Sequence, residues 1–262
     1  MAWLVWLATV LVVFITLLQV SNVFRFYFKC VLFGATVIGA SFIGSFLCLL
    51  NGTTTKNHYV IFNVFHKLGV WMNIEYTVEN PELLVSEEPY VIIANHQAAL
   101  DVFTMSKIWP DNCVVMLKNS LKYVPFFNIC AWKCNAIFVD RFSKDKAHQT
   151  IDHAREGMEK DKKKIFIYPE GTRNNREELL PFKKGAFIIS KGVNVPIVPC
   201  VFSSYKPFYD YDKKMWLSSG KVTIRVLPKV YPGDKDVEQL AEECRDLISK
   251  NFKELSGFSK KE

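Results

Sequence analysis

The chain has 262 residues, half of them hydrophobic, with 33 Lys and Arg against 26 Asp and Glu. That length holds one sizeable α/β domain plus an appendage, and the mild basic excess suits an anionic membrane surface or a phosphorylated substrate while being too weak and dispersed for nucleic acid. Cys30, Cys48, Cys113, Cys130, Cys134, Cys200 and Cys244 form no C-x-x-C pair, so neither a disulfide framework nor a zinc site is indicated, and the domain reads as facing a reducing compartment.

Residues 1–50 carry only two charged side chains, Arg25 and Lys29, so the remaining 31 basic and 26 acidic ones lie beyond. Two apolar runs, 3–20 and 31–50, are each just long enough as helices for a hydrocarbon core of about 30 Å. No basic stretch precedes the first run, which argues against a signal peptide. Between them, residues 21–30 set Arg25 and Lys29 among aromatics, a membrane-interface composition. The reading is a helical hairpin that anchors the protein (1–50), followed by one domain (51–262) with no internal repeat and no linker after residue 74. In 60–74, Ile61, Val64, Phe65, Leu68, Trp71 and Met72 follow helical spacing opposite Asn63, His66, Lys67 and Asn73. An interfacial helix and ordinary core packing both fit that pattern. His58 and His66 have no carboxylate near them in sequence and read as structural.

From residue 74 an α/β pattern begins. Strands are predicted at 74–78, 91–94, 113–117, 136–139, 165–168 and 221–227, with helices at 102–109, 124–133, 147–158, 185–191 and 237–248. Residues 195–202 are strand-like, but Pro196 and Pro199 favour an edge or irregular position. Gly192 is expected to stop the 185–191 helix. His148 and His153 fall off the stripe formed by Ala147, Ile151, Ala154 and Met158 and read as solvated.

The chemistry-bearing stretch is V-I-I-A-N-H-Q-A-A-L-D (91–101). A buried strand ends near His96, and Asp101 opens the next apolar segment. A tight turn between strand and helix would fold the carboxylate back onto the imidazole. That gives a base with an orienting partner at the C-terminal end of a strand, where open α/β folds place ligands. A histidine satisfied in the core and an aspartate capping a helix are the bland alternatives. The second stretch, K-I-F-I-Y-P-E-G-T-R (164–173), runs a strand into a loop. There Gly171 lets backbone N–H groups approach an anion, Thr172 can donate, and Arg173 offers a planar fork that matches phosphate. Glu170 is positioned to hold Arg173. Neither G-x-x-x-x-G-K-[ST] nor G-x-G-x-x-G occurs.

N-H-Q-A-A-L-D (95–101), A-I-F-V-D-R (136–141), Y-P-E-G-T-R (168–173) and V-P-I-V-P (195–199) resemble, in order and approximate spacing, the four motifs of the glycerolipid acyltransferases. The stretch 168–187 is most similar to the animal 1-acylglycerol-3-phosphate acyltransferases. The resemblance covers roughly residues 60–250 and implies an α/β domain, a mixed sheet flanked by helices, behind a transmembrane hairpin. It implies transfer of an acyl group from acyl-CoA, as co-substrate, to the 2-hydroxyl of lysophosphatidate at the endoplasmic reticulum membrane, with no cofactor and no metal. Carried over by position, His96 is the base and Asp101 its partner. Glu170, Gly171, Thr172 and Arg173 form the acceptor site, with Arg141 as a second cation, Lys118 as an electrostatic helper, and residues 195–199 lining the pocket. Two departures stand out: Ala98 and Ala99 where many members have serine, and Asn135 where members usually have glycine. With no serine or cysteine between His96 and Asp101, transfer is expected to be direct.

Rival readings are a different acceptor such as glycerol 3-phosphate, a metal-dependent phosphohydrolase using His96 and Asp101 as ligands, and a membrane-anchored lipid-binding protein. The domain is expected to face the cytosol, where acyl-CoA is available, although positive-inside counting on Arg25 and Lys29 alone favours the opposite.

Overall fold

The computed structural model describes residues 1–140 and 144–258. Helices α1 (Ala2–Val20) and α2 (Asn22–Leu49) are separated by Ser21 alone, whose hydroxyl accepts from Phe24 N and caps α2. Phe14 packs edge-on against Phe24 and Phe28, with ring centroids 5.6 and 5.4 Å apart, closing the pair into a hairpin. Residues 22–30, expected as an interfacial connection, are thus part of a continuous 28-residue helix. The charges do not break it, because Lys29 Nζ donates to the carbonyls of Trp216 (3.3 Å) and Leu217 (2.7 Å) in the domain.

Nor is α2 only an anchor. Helix α1 buries no residue, whereas α2 buries Phe26, Thr36, Ala40, Ser41, Gly44, Ser45 and Cys48 along one face. Small residues there allow close approach: a Cβ on Gly44 would lie 3.1 Å from Ile61 Cγ1. Ile61 belongs to α3 (Asn57–Leu68), which also buries Phe62, Val64 and Phe65 in one core cluster with Phe26, Ala40 and Cys48. The apolar stripe Ile61, Val64 and Phe65 of that segment is therefore packed in the core.

The strands are β1 (Ile74–Glu79), β2 (Val91–Ala94), β3 (Cys113–Lys118), β4 (Ile137–Val139), β5 (Lys164–Ile167), β6 (Ile197–Phe202), β7 (Tyr209–Asp210), β8 (Met215–Trp216) and β9 (Gly220–Val226). Seven form a mixed sheet in the order β1-β9-β6-β2-β5-β3-β4, while β7 and β8 make a separate ribbon. Every pairing in the large sheet is parallel except β6 with β9. Because side chains alternate along a strand, Ile92, Ala94 and Phe166 pack toward α2, α3 and the one-and-a-half-turn α4 (Asp101–Met105). Val91, Ile93, Ile165 and Ile167 pack on the other face with residues of α6 (Lys144–Asp161), α7 (Gly185–Val193) and α8 (Val237–Leu255). The side chain of Ala147 lies outside the described residues.

Two expectations fail for identifiable reasons. Strand β6 is interior, between β2 and β9. Pro199 is tolerated because its carbonyl accepts from Leu227 N just past the end of β9, and regular exchange resumes only between Ile197 and Val230. The missing N–H of Pro199 thus faces a gap in the ladder. Gly192 lies inside α7, and the stop comes at Asn194 in the left-handed conformation. What Gly192 provides is room: a Cβ there would meet the Arg155 guanidinium at 2.4 Å.

Strands β2, β3, β4 and β5 run parallel, so their C-terminal ends emerge at one edge of the sheet. That edge carries His96, Lys118, Asp140 and Tyr168, and it is where such sheets place ligands.

Candidate active site

Two buried amides fix the turn after β2. Asn95 Nδ2 donates to Phe202 O (3.0 Å) and its Oδ1 accepts from Phe202 N (2.8 Å). Gln97 Nε2 donates to the carbonyls of Phe202 (3.1 Å) and Ser203 (2.9 Å), and its Oε1 accepts from Tyr205 N (3.2 Å). With residues 95 and 97 tied to the end of β6, His96 faces the other way. The turn brings Asp101, at the start of α4, back onto it: Asp101 Oδ2 lies 2.6 Å from His96 Nδ1 and also accepts from Gln97 N (2.7 Å) and Ala98 N (3.2 Å). Asp101 is buried and His96 partly exposed, so the pair is neither a core histidine nor a simple cap. One oxygen gathers three N–H groups, holding the imidazole in the tautomer with Nδ1 protonated and Nε2 left to accept a proton.

The imidazole is also clamped from its face. Tyr168 stacks on it with centroids 4.1 Å apart and planes 18° from parallel. Burial and the nearby Asp101 raise the Tyr168 phenol well above its ordinary range, so this ring serves as a neutral platform.

Glu170 departs from its expected role of holding Arg173. It is buried, and its Oε1 accepts from the backbone N–H of His96 (2.9 Å). Its Oε2 accepts from Asn174 Nδ2 (3.1 Å) and Leu180 N (3.0 Å). Asn174 N in turn donates to His96 O at 2.7 Å. The carboxylate therefore joins the loop after β5 to the base-bearing turn, 74 residues earlier. Arg173 is exposed and has no carboxylate partner among the described residues. The backbone is strained at Gly171 for any other residue: its φ is +70°, and a Cβ would meet Lys183 Cε at 2.7 Å.

A cavity of about 1280 Å³ opens beside His96. Its apolar wall comes from α2 (Phe33, Val37), α3 (Ile61, Phe62, Phe65) and α5 (Phe127–Lys133; Phe127, Ala131). Gly171, Thr172, Arg173, Lys118 and Lys183 also line it, bringing three cations to the same space. His58 lines it too, but burial lowers its pKa to about 4, leaving it neutral. Burial pushes the Cys130 thiol up to about 12. Among the described residues no group of three or more His, Cys, Asp or Glu side chains could hold a metal ion.

Of the residues singled out in the sequence, His96, Asp101, Gly171, Thr172, Arg173 and Lys118 meet at this cavity, while Glu170 supports it from behind. Arg141 lies outside the described residues. Residues 195–199 do not line the cavity, since β6 is packed within the sheet and its side chains go to the two core faces. Asn135, the departure from glycine, adopts φ +57°, so the backbone conformation open to glycine is kept, asparagine tolerating it better than most residues. Tyr168, Lys183, Gln97 and Asn174 were missed. Tyr168 and Asn174 flank the P-E-G-T-R pentapeptide, Gln97 follows the histidine and Lys183 sits in a lysine pair with Lys184, which is the only local signal they carry.

The acyltransferase family model matches residues 75–203. The Caenorhabditis elegans protein acl-1 is 44% identical over 92% of this chain and 92% of its own length. The human 1-acyl-sn-glycerol-3-phosphate acyltransferase beta is 32% identical over 95% of this chain and 91% of its own, and the Saccharomyces cerevisiae 1-acyl-sn-glycerol-3-phosphate acyltransferase is 33% identical over 92% and 82%. The crystal structure of the 1-acyl-sn-glycerophosphate acyltransferase PlsC from Thermotoga maritima shares the fold, with a TM-score of 0.61 at 20% identity, covering 89% of this chain and 94% of that one.

Proposed function

The chain belongs to the acyltransferase family of which these 1-acyl-sn-glycerol-3-phosphate acyltransferases are members, and on that premise we propose that it moves a fatty acyl group from acyl-CoA to the 2-hydroxyl of 1-acylglycerol 3-phosphate, forming phosphatidate and CoA. The observation that carries this reading is the His96–Asp101 pair opening onto a large apolar cavity with Arg173 at its rim. His96 Nε2 takes the proton of the acceptor hydroxyl as its oxygen bonds to the thioester carbonyl. The C–S bond then breaks, the electron pair leaves on the CoA sulfur, and the imidazolium returns the proton. Asp101, already accepting the Nδ1–H, stabilises the imidazolium. Arg173, with Lys183 and Lys118 on the same cavity, supplies positive charge for the acceptor's phosphate, and the apolar wall takes acyl chain.

Direct transfer is supported by Gln97, Ala98, Ala99 and Leu100 being the only residues between base and carboxylate, and by burial holding both cavity thiols, Cys130 and Cys134, protonated. The test is purified protein with labelled acyl-CoA against phosphorylated and unphosphorylated acceptors, alongside His96→Ala. Turnover is expected only with a phosphorylated lysolipid and is lost by about 10²–10⁴-fold or more in the variant. A labelled acyl group trapped on a Ser or Cys side chain would refute the direct route.

The protein is membrane-associated, and its domain sits on the cytosolic face of the endoplasmic reticulum. Supporting that side, Lys29 is bonded to the domain itself, so the basic turn and the domain lie on one side and positive-inside counting no longer opposes the reading. The buried face of α2 runs from Phe26 to Cys48, about 33 Å of helix, so its whole length is docked on the domain and the hairpin enters the membrane from that side. The Asn51-Gly52-Thr53 sequon is then left unmodified; a glycan on Asn51, or protease protection of the domain in sealed microsomes, would overturn this orientation.

A further inference from the structure

The segment 119–133 carries, on its outer side, features that the transfer chemistry does not use. A 3-10 helix (Asn119–Tyr123) leads through Pro125 into α5, and Tyr123 and Trp132 stand 82% and 62% exposed. Between them Phe126 adopts φ 62°, ψ −37°, and Phe127 N donates to Pro125 O at 2.7 Å. This is a γ-turn centred on a phenylalanine, a conformation disfavoured for any residue with a side chain and retained where the surroundings over-determine it. It sets the Phe126 ring edge-on against Phe42 of α2, with centroids 5.0 Å apart. Cys130 Sγ donates to Ser41 O at 3.2 Å, tying α5 alongside the same half of α2. The outer face of α2 there exposes Ile38, Phe42 and Phe46, so the two apolar surfaces are continuous. Lys122 is exposed at the start of the patch, while Lys133, itself buried, holds its Nζ 5.2 Å from the Trp132 ring. Aromatic rings flanked by lysines are the composition of a lipid–water boundary.

We propose that the segment 119–133 is a second membrane-contacting element, seated in the same lipid leaflet as the outer face of α2, with the phospholipid bilayer as its partner. The inner side of the segment, through Leu121, Val124, Phe127 and Ala131, lines the cavity, and the exposed Tyr123 also borders it, whereas Trp132 does not. One short stretch of chain therefore separates lipid from the space that holds the acceptor, and its depth sets how a lysolipid is presented to His96. Only this last consequence rests on the acyl-transfer reading.

The test uses the full chain in phosphatidylcholine–phosphatidylserine vesicles. Trp132→Cys and, as a control, Tyr231→Cys are labelled with a small fluorophore and quenched by nitroxide-bearing phospholipids. Tyr231 is exposed beside Val230, which packs in the core on the opposite face of the sheet. The expected result is quenching at position 132 at least threefold stronger than at 231. Equal quenching overturns the proposal. So does shielding that ignores the nitroxide lipids and grows with protein concentration, which would mean that a second copy covers the patch. In the activity arm, Trp132→Glu should raise the KM for bilayer-presented long-chain lysophosphatidate about fivefold or more, while kcat/KM for a short-chain acceptor dissolved as monomer stays unchanged. Equal loss with both overturns the proposal. Failure of the unmodified chain to transfer acyl groups at all would remove the functional reading while leaving the quenching result to stand.

Discussion

Glu170→Gln separates a clamp from a substrate contact. The carboxylate accepts three N–H groups, one on Oε1 from His96 and two on Oε2 from Asn174 and Leu180. A glutamine keeps one acceptor, and it retains more bonds by presenting its oxygen to Asn174 and Leu180. The NH₂ group then faces the His96 N–H, donor against donor. Losing a hydrogen bond to a charged acceptor costs about 1.5–3 kcal/mol. If that cost falls wholly on the placement of His96, kcat drops roughly tenfold to 150-fold, since each 1.36 kcal/mol is a factor of ten. The acceptor KM should stay within about twofold, because the carboxylate is engaged by His96 N, Asn174 Nδ2 and Leu180 N and Glu170 is not part of the cavity lining. The assay is steady-state kinetics on purified enzyme with lysophosphatidate varied at saturating acyl-CoA, with a thermal melt to confirm the fold. A rise in acceptor KM at constant kcat would refute the clamp and return Glu170 to the acceptor site.

Other substitutions probe neighbouring parts of the site. Arg173→Ala should raise the acceptor KM several-fold and leave the acyl-CoA KM nearly unchanged, and Arg173→Lys should restore only part, because an ammonium keeps the charge but loses the planar fork; equal loss with an acceptor lacking phosphate would make Arg173 structural. Tyr168→Phe should keep most activity, since the ring stacks and its hydroxyl makes only a 3.4 Å contact to Asp101 O, whereas Tyr168→Leu should lower kcat about tenfold or more without changing substrate KM; indifference to Leu would dismiss the platform. His58 is buried, and its pKa falls from 6.5 to about 4 on folding. The stability this lends is present above pH 6.5 and is lost as pH falls toward 4, roughly 3 kcal/mol in all. Thermal melts of the native chain should therefore drop across that window, and His58→Gln should flatten the slope.

What could be read from the residues in order was local. The apolar run 91–94, the histidine that ends it and the carboxylate five residues on are joined by one tight turn, so strand, turn and dyad were all legible. Asn135 was flagged by its departure from glycine, and its left-handed backbone answers the flag. Partners far apart in the chain were not legible. Glu170 reads as a partner for Arg173 because only Gly171 and Thr172 lie between them, yet its bond goes to a backbone 74 residues away. Arg25 and Lys29 marked a break in an apolar run, yet Lys29 finds its acceptors 187 and 188 residues on, and the helix continues through it. Pro199 argued for an edge because the gap in the neighbouring strand that accommodates it leaves no trace near Pro199 itself.

The shared core of α2 and the domain also bears on any attempt to free the enzyme from lipid by trimming its leader. A form starting at residue 51 would lose Phe26, Ala40 and Cys48 from the interior and Phe33 and Val37 from the cavity wall. It would leave Ile61 and Cys130, which now face Gly44, open to water. Such a fragment would be an enzyme with one side of its binding chamber removed, sticky where the intact protein is packed. Solubility is better sought in the outward residues of α1, none of which is buried.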